Sequence, residues 1–109
     1  MPADHQLFID AIAAKRRISI RFNHPKEGRE WVRTCAPLDF GPLRGSPDPE
    51  PRYQLWDLEA KRKPFNLALR AGDILEMKLL DATFDPAAII TWAFKAGAWA
   101  IPRDWAEFS

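Results

Sequence analysis

The sequence predicts a mainly β domain of the α+β class: about five short strands bent into a small barrel, with a helix on either side and a packed tail. Three observations predict it. The spacing of apolar residues switches from a period near 3.6 to a period of 2 close to Arg17, and back again after Asp85. The β-type runs between those points are short and separated by polar breaks marked by Gly or Pro. Residues 98–109 carry Trp99, Ile101, Trp105 and Phe108, a set that a solvated tail would not hold.

Residues 4–15 read as a helix, because Leu7, Phe8, Ala11 and Ile12 fall on one face. Asp4 is placed as its N-cap, and Lys15, Arg16 and Arg17 follow where the helix dipole favours cations. The barrel is expected over 17–80. In its first strand Ile18, Ile20 and Phe22 alternate with Ser19, Arg21 and Asn23, and residues 24–30, with Pro25 and Gly28, form a turn. The returning strand, 31–38, sets Trp31, Arg33 and Cys35 against Val32, Thr34 and Ala36, and Pro37 signals an end or an edge. Four prolines and two glycines in residues 41–51 predict a stiff loop with neither helix nor strand. Further strands are expected at 53–58, 65–69 and 74–80, with a break at Ala71-Gly72. Asp85 as N-cap and Pro86 at the first helical position open a second helix over 86–96, which Gly97 would stop. In the tail Pro102 fixes a bend, and Arg103 and Asp104 are expected to stay in water between Ile101 and Trp105.

Length and composition narrow the function. One domain of 109 residues, 47% hydrophobic and 28% charged, matches an ordinary globular chain. Its net charge of +1 gives no global attraction to nucleic acid or membranes, so any such binding needs a local patch. Cys35 is the lone cysteine, which excludes an intramolecular disulfide and a Cys-based zinc cage. No signal-peptide pattern opens the chain and no apolar run nears ~18 residues, so a cytoplasmic location is expected.

Four segments, residues 11–22, 32–41, 53–60 and 63–84, together resemble the WYL family of small sensor domains. Residues 11–22, AIAAKRRISIRF, resemble the helix end and first strand that open the family's domain. VRTCAPLDFG, residues 32–41, is similar to its Arg-x-x-x-Pro second strand through Arg33 and Pro37. YQLWDLEA, residues 53–60, stands where the naming Trp-Tyr-Leu tripeptide belongs; Leu55 matches, while Tyr53 and Gln54 replace the other two. KPFNLALRAGDILEMKLLDATF, residues 63–84, resembles the closing segment that begins with Phe and ends in Leu-Asp-x-x-Phe. Aligned on Ile74, the family's pocket arginine falls on Asp73, with Arg70 the nearest basic residue. The resemblance spans residues 7–86 and implies an SH3- or Sm-like barrel after an N-terminal helix. It further implies a non-enzymatic ligand-sensing or regulatory module. WYL modules usually follow a winged helix-turn-helix; here one short helix precedes the first strand, so a stand-alone sensor or adaptor is expected.

The candidate ligand-binding residues are Arg33, Tyr53, Arg70, Arg52 and Trp56. Guanidinium forks match phosphate or carboxylate, and an exposed aromatic beside them can stack a base. The partners this suggests are a small anion, a nucleotide or a single-stranded nucleic acid. The plainer account is that the arginines pair with neighbours such as Asp57 and Asp73, and that the helix or tail covers the aromatics. Tyr53 and Trp56 lie on opposite strand faces, so one of them points away from the core. Lys15-Arg16-Arg17 and Lys61-Arg62-Lys63 form a nucleic-acid footprint only if they share a face with those arginines. A second function class stays open: an interaction or homodimerisation module with a Trp-rich C-terminal surface. Enzyme motifs are not found, no cofactor is expected, and neither His5, His24 nor Cys35 has a patterned catalytic partner.

Overall fold

The computed structural model describes residues 4–92, 95 and 97–109. Helix α1 (His5–Ala14) is followed by β1 (Arg16–Asn23), β2 (Glu30–Pro42), β3 (Pro51–Asp57) and β4 (Asn66–Leu69). A 3₁₀ turn (Ala71–Asp73) leads into β5 (Ile74–Thr83), then α2 (Pro86–Ile89) and a last 3₁₀ turn (Ala106–Phe108). The five strands form one antiparallel sheet in the order β4-β3-β2-β1-β5, the mainly β, α+β domain that the periodicity predicts. Its edges, β4 and β5, are joined through the 3₁₀ turn.

The thirteen-residue β2 is divided between two neighbours. Residues 30–35 pair with β1, whereas residues 35–42 pair with β3. Between Pro37 and Asp39 the register shifts, so the strand kinks as it passes from one neighbour to the other. Pro37 therefore marks a bend, and neither the strand end nor the sheet edge that it signals in the sequence. The pairing with β1 stops at Cys35, so no β1 acceptor is deprived of a Pro37 donor. The loop expected over 41–51 is likewise shorter, since Gly41 pairs with Arg52 and Pro42 with Pro51. A rung of two prolines donates no hydrogen bonds, and it is tolerated as the last rung of the hairpin.

The core is one cluster. Phe8, Ala11 and Ile12 of α1 pack on Ile18, Ile20 and Phe22 of β1 and on Tyr53 and Leu55 of β3. Asp4 does not cap α1 with its side chain; its carboxylate accepts a hydrogen bond from the Met77 N–H at 3.2 Å and ties the chain's start to β5. Lys15 takes a left-handed conformation (φ 54°) that turns the chain sharply into β1.

The C-terminal region departs most from expectation. Asp85 caps α2 as predicted, accepting from the Ala87 N–H at 3.0 Å with Pro86 in the first turn. However, α2 ends at Ile89 instead of running over 86–96. Ile89 and Ile90 both enter the core, and the helix is broken at Ile90 (φ −84°, ψ 86°), where the Thr91 N–H donates to the Ile89 carbonyl at 3.0 Å. Packing here overrides helix propensity. Positions 93, 94 and 96 of the expected helix lie outside the described residues. Gly97 (φ +79°) serves a turn, its N–H donating to the Ser109 carbonyl at 3.3 Å.

The tail packs onto the sheet. Trp105 is 2% exposed and its Nε1–H donates to the Ile12 carbonyl at 2.8 Å. The N–H groups of Ala100 and Ile101 donate to the Asp39 carboxylate at 3.0 and 2.9 Å. A Cβ at Gly41 would stand 3.1 Å from that of Ala100, so glycine makes room for the tail there. Arg103, expected in water, instead has a fully buried side chain, with its guanidinium 4.2 and 4.4 Å from the Trp99 and Trp105 ring centres. It donates to Asp39 Oδ1 at 3.3 Å and to the carbonyls of Leu38 and Ile101. Asp104 remains exposed.

Candidate functional site

The outward face of the β3–β4 ladder carries the site. In the antiparallel register Tyr53 opposes Leu69, Gln54 opposes Ala68 and Trp56 opposes Asn66. Extending that register by one step sets Arg52 beside Arg70. Strand alternation then puts Arg52, Gln54, Trp56, Asn66, Ala68 and Arg70 on one face, with Tyr53, Leu55 and Leu69 turned into the core. The even-numbered residues form a stripe that is cationic at one end and aromatic at the other.

At the cationic end, a cavity of about 540 Å³ is lined by Arg52, Arg70, His24, Lys26 and Asp73, with Leu43 and part of β4 forming its apolar wall. Arg52 and Arg70 both reach Asp48 Oδ2, at 3.3 and 2.9 Å, and Arg70 also pairs with Glu50 at 3.1 Å. The Glu50 N–H donates to Asp48 Oδ1 at 2.9 Å. That bond and the two guanidiniums hold the Asp48 carboxyl below its usual range. The buried Nε of Arg52 has no hydrogen-bond partner, an unusual state for a guanidinium donor. His24 Nδ1 accepts from the N–H groups of Lys26 and Glu27, both at 3.1 Å, which fixes the tip of the β1–β2 hairpin at the cavity's edge.

At the aromatic end lies a hollow of about 340 Å³, walled by Leu38, Leu43, Leu67, Trp56, Trp92 and Trp99. It shares Leu43, Asn66, Leu67 and Ala68 with the arginine cavity, so the two lie side by side along β4 as neighbouring parts of a groove. The Trp56 ring lies 5.5 Å from Phe65 and 6.1 Å from Trp92.

Three of the sequence-predicted residues, Arg52, Arg70 and Trp56, thus share one groove. The other two do not join them. Tyr53 is 0% exposed, with its ring against Phe8 and its hydroxyl 2.7 Å from His5 Nδ1, so it offers no stacking surface. Burial raises its phenol pKa. Arg33 lies 3.7 Å from the buried Asp57 carboxylate and sits 4.5 Å over the Trp31 ring, away from the groove. Among the flanking basic runs, Arg16 donates to the Leu80 carbonyl and Asp81, and Arg17 to the Thr83 carbonyl, so both fasten β1 to β5. Sequence reasoning missed His24, Lys26 and Trp92 as groove residues, and Asp48 as the partner of Arg52 and Arg70. Only the strand stripe has a readable period; turn residues reach the cavity through topology.

Comparison with protein-family models, with curated proteins and with solved structures finds no match. Nothing among the described residues gathers three or more metal-ligating side chains, and no described helix is long and apolar enough to cross a membrane. Cys35 is buried and desolvation pushes its thiol pKa up, which leaves it a core residue and a poor nucleophile.

Proposed function

We propose that the protein is a non-enzymatic ligand-sensing module that binds a small anion at the arginine end of the groove. One observation carries this reading: two arginines that line the cavity, from neighbouring positions of the β3–β4 ladder, converge with their guanidiniums on a single carboxylate oxygen. Asp48 occupies the position that a ligand's carboxylate or phosphate would take, and such a group offers the same acceptors with more charge. Lys26 and His24 add donors from the hairpin tip, and Arg52 retains an unmet N–H. The WYL resemblance supports the same place, since Asp73, at the family's arginine position, and Arg70, its nearest basic residue, both line the cavity.

Single-stranded nucleic acid is the weaker partner, because Tyr53 is internal and Arg16 and Arg17 are committed to β5. A Trp-rich interaction surface is weaker too, because Trp105 is spent on the protein's own core. The test is calorimetric titration of inorganic phosphate and pyrophosphate into wild type, Arg52→Ala and Arg70→Ala at low and high salt. Binding should weaken in both variants and fall steeply as salt rises. Absence of binding at low salt, or binding indifferent to both substitutions, overturns the reading.

A further inference from the structure

The aromatic hollow shares four lining residues with the arginine cavity, and one feature of it is unexplained by folding. Trp105 of the tail is 2% exposed, yet Trp92 is left at 46%, at the rim of a hollow already walled by Trp56, Trp99 and four leucines. Open aromatic surface beside converging polar groups is the usual composition of a small-molecule site. The spacing of the two ends follows from the strand. Asn66 lies beside Trp56, Arg70 follows four residues later, and at ~3.3 Å per residue the ends are about 13 Å apart.

We propose that the hollow is a second subsite for the same ligand. It takes a planar aromatic group, joined through a spacer along β4 to the anion held by Arg52 and Arg70. The ligand class is then an aryl-bearing phosphate or carboxylate with a flexible or sugar-sized spacer, and not a bare inorganic anion. Flat indole walls open to solvent suit a planar ring, whereas a long acyl chain would leave much of its length in water. Gln54, on the stripe between the ends, donates its Nε2–H to the Gly41 carbonyl at 3.2 Å and leaves its amide oxygen to accept from a polar spacer. This inference rests on the anion reading above.

The experiment is an affinity series: inorganic phosphate, phenyl phosphate, 2-phenylethyl, 4-phenylbutyl and 6-phenylhexyl phosphate, titrated into wild type, Trp92→Ala and Arg70→Ala. Trp92 and Arg70 are both substantially exposed, so neither change removes core packing, and unchanged melting curves verify this. Affinity should peak at the intermediate spacer, roughly tenfold or more above phenyl phosphate. Trp92→Ala should flatten the series and leave inorganic phosphate unaffected, while Arg70→Ala should weaken every member. Affinity rising steadily with each added methylene would mean non-specific apolar adsorption and overturns the subsite. Phosphate binding that depends on Arg70, with a flat series in wild type, overturns the subsite alone. If no member binds, the anion reading falls and takes this inference with it.

Discussion

Arg103 is held by three kinds of contact at once: two indole faces, the Asp39 carboxylate and the carbonyls of Leu38 and Ile101. Burial pulls its pKa down to about 10, against the opposing pull of Asp39, so it stays charged at neutral pH. Removing one member of a buried pair strands the other. Arg103→Ala should therefore cost about 3–5 kcal/mol in urea denaturation, much of it from leaving Asp39 buried and unpaired. Arg103→Lys should recover less than half of that, because an ammonium cannot place a planar fork between two rings. A loss below about 1 kcal/mol would show that the sandwich contributes little. Asp48 makes the opposite case, a carboxylate at the surface. The contribution of its lowered pKa is complete above the ordinary value of 3.8 and disappears as pH falls below it through the folded-state pKa. At neutral pH the carboxylate therefore competes with any added anion for both arginines. Asp48→Asn should raise phosphate affinity several-fold at pH 7, measured by calorimetry. A fall in affinity would mean that Asp48 pre-orders the arginines instead of blocking them.

At the scale of elements, the tail behaves as part of the sheet's cover. Trp105 plugs the space between α1 and Phe84, and residues 100 and 101 are bonded to Asp39 on β2. Ending the chain after Gly97 would expose Ile12 and Phe84 and leave Asp39 without its cation. The truncated protein should be insoluble, or should melt far below the full chain in a thermal scan. Unchanged solubility and melting temperature would show that the tail is dispensable to the fold. How much of this the sequence discloses depends on the range of the signal. Alternation is local, so the strand runs, the 3.6-period face of α1 and the Asp85-Pro86 start of α2 are legible. The aromatic weight of the tail also announces burial. By contrast, the kink at Pro37 reads as a strand end, because a sequence does not show that β2 changes partners there. Arg103 reads as solvated because its partner Asp39 is 64 residues away. The groove is half legible for the same reason: Arg52 and Trp56 share a face by period alone, whereas Arg70 joins them only through the β3–β4 register and Asp48 only through its loop.

For the whole molecule, the question is whether one core or two is being held together. Residues from α1, every strand, α2 and the tail belong to a single buried cluster, with Phe8 of α1 and Trp105 of the tail among its fully covered side chains. β1 is paired on both edges, with β2 and β5, and β2 is paired with β1 and β3, so disrupting either central strand breaks two ladders. The tail has no apolar cluster of its own: Trp99 donates to the Phe108 carbonyl at 2.7 Å, but its ring packs 5.7 Å from Trp105, whose indole is anchored on α1. Under these conditions no segment can leave without uncovering the rest, and unfolding should be a single cooperative transition. Tryptophan fluorescence, which reports the tail and groove, should lose its native signal at the same urea concentration as far-UV circular dichroism, which reports the sheet. The two curves should give the same midpoint and slope. An early fluorescence transition ahead of the dichroism change would instead assign the tail to a separate unfolding unit, and the Arg103 sandwich would then be an accessory clasp and not part of the common core.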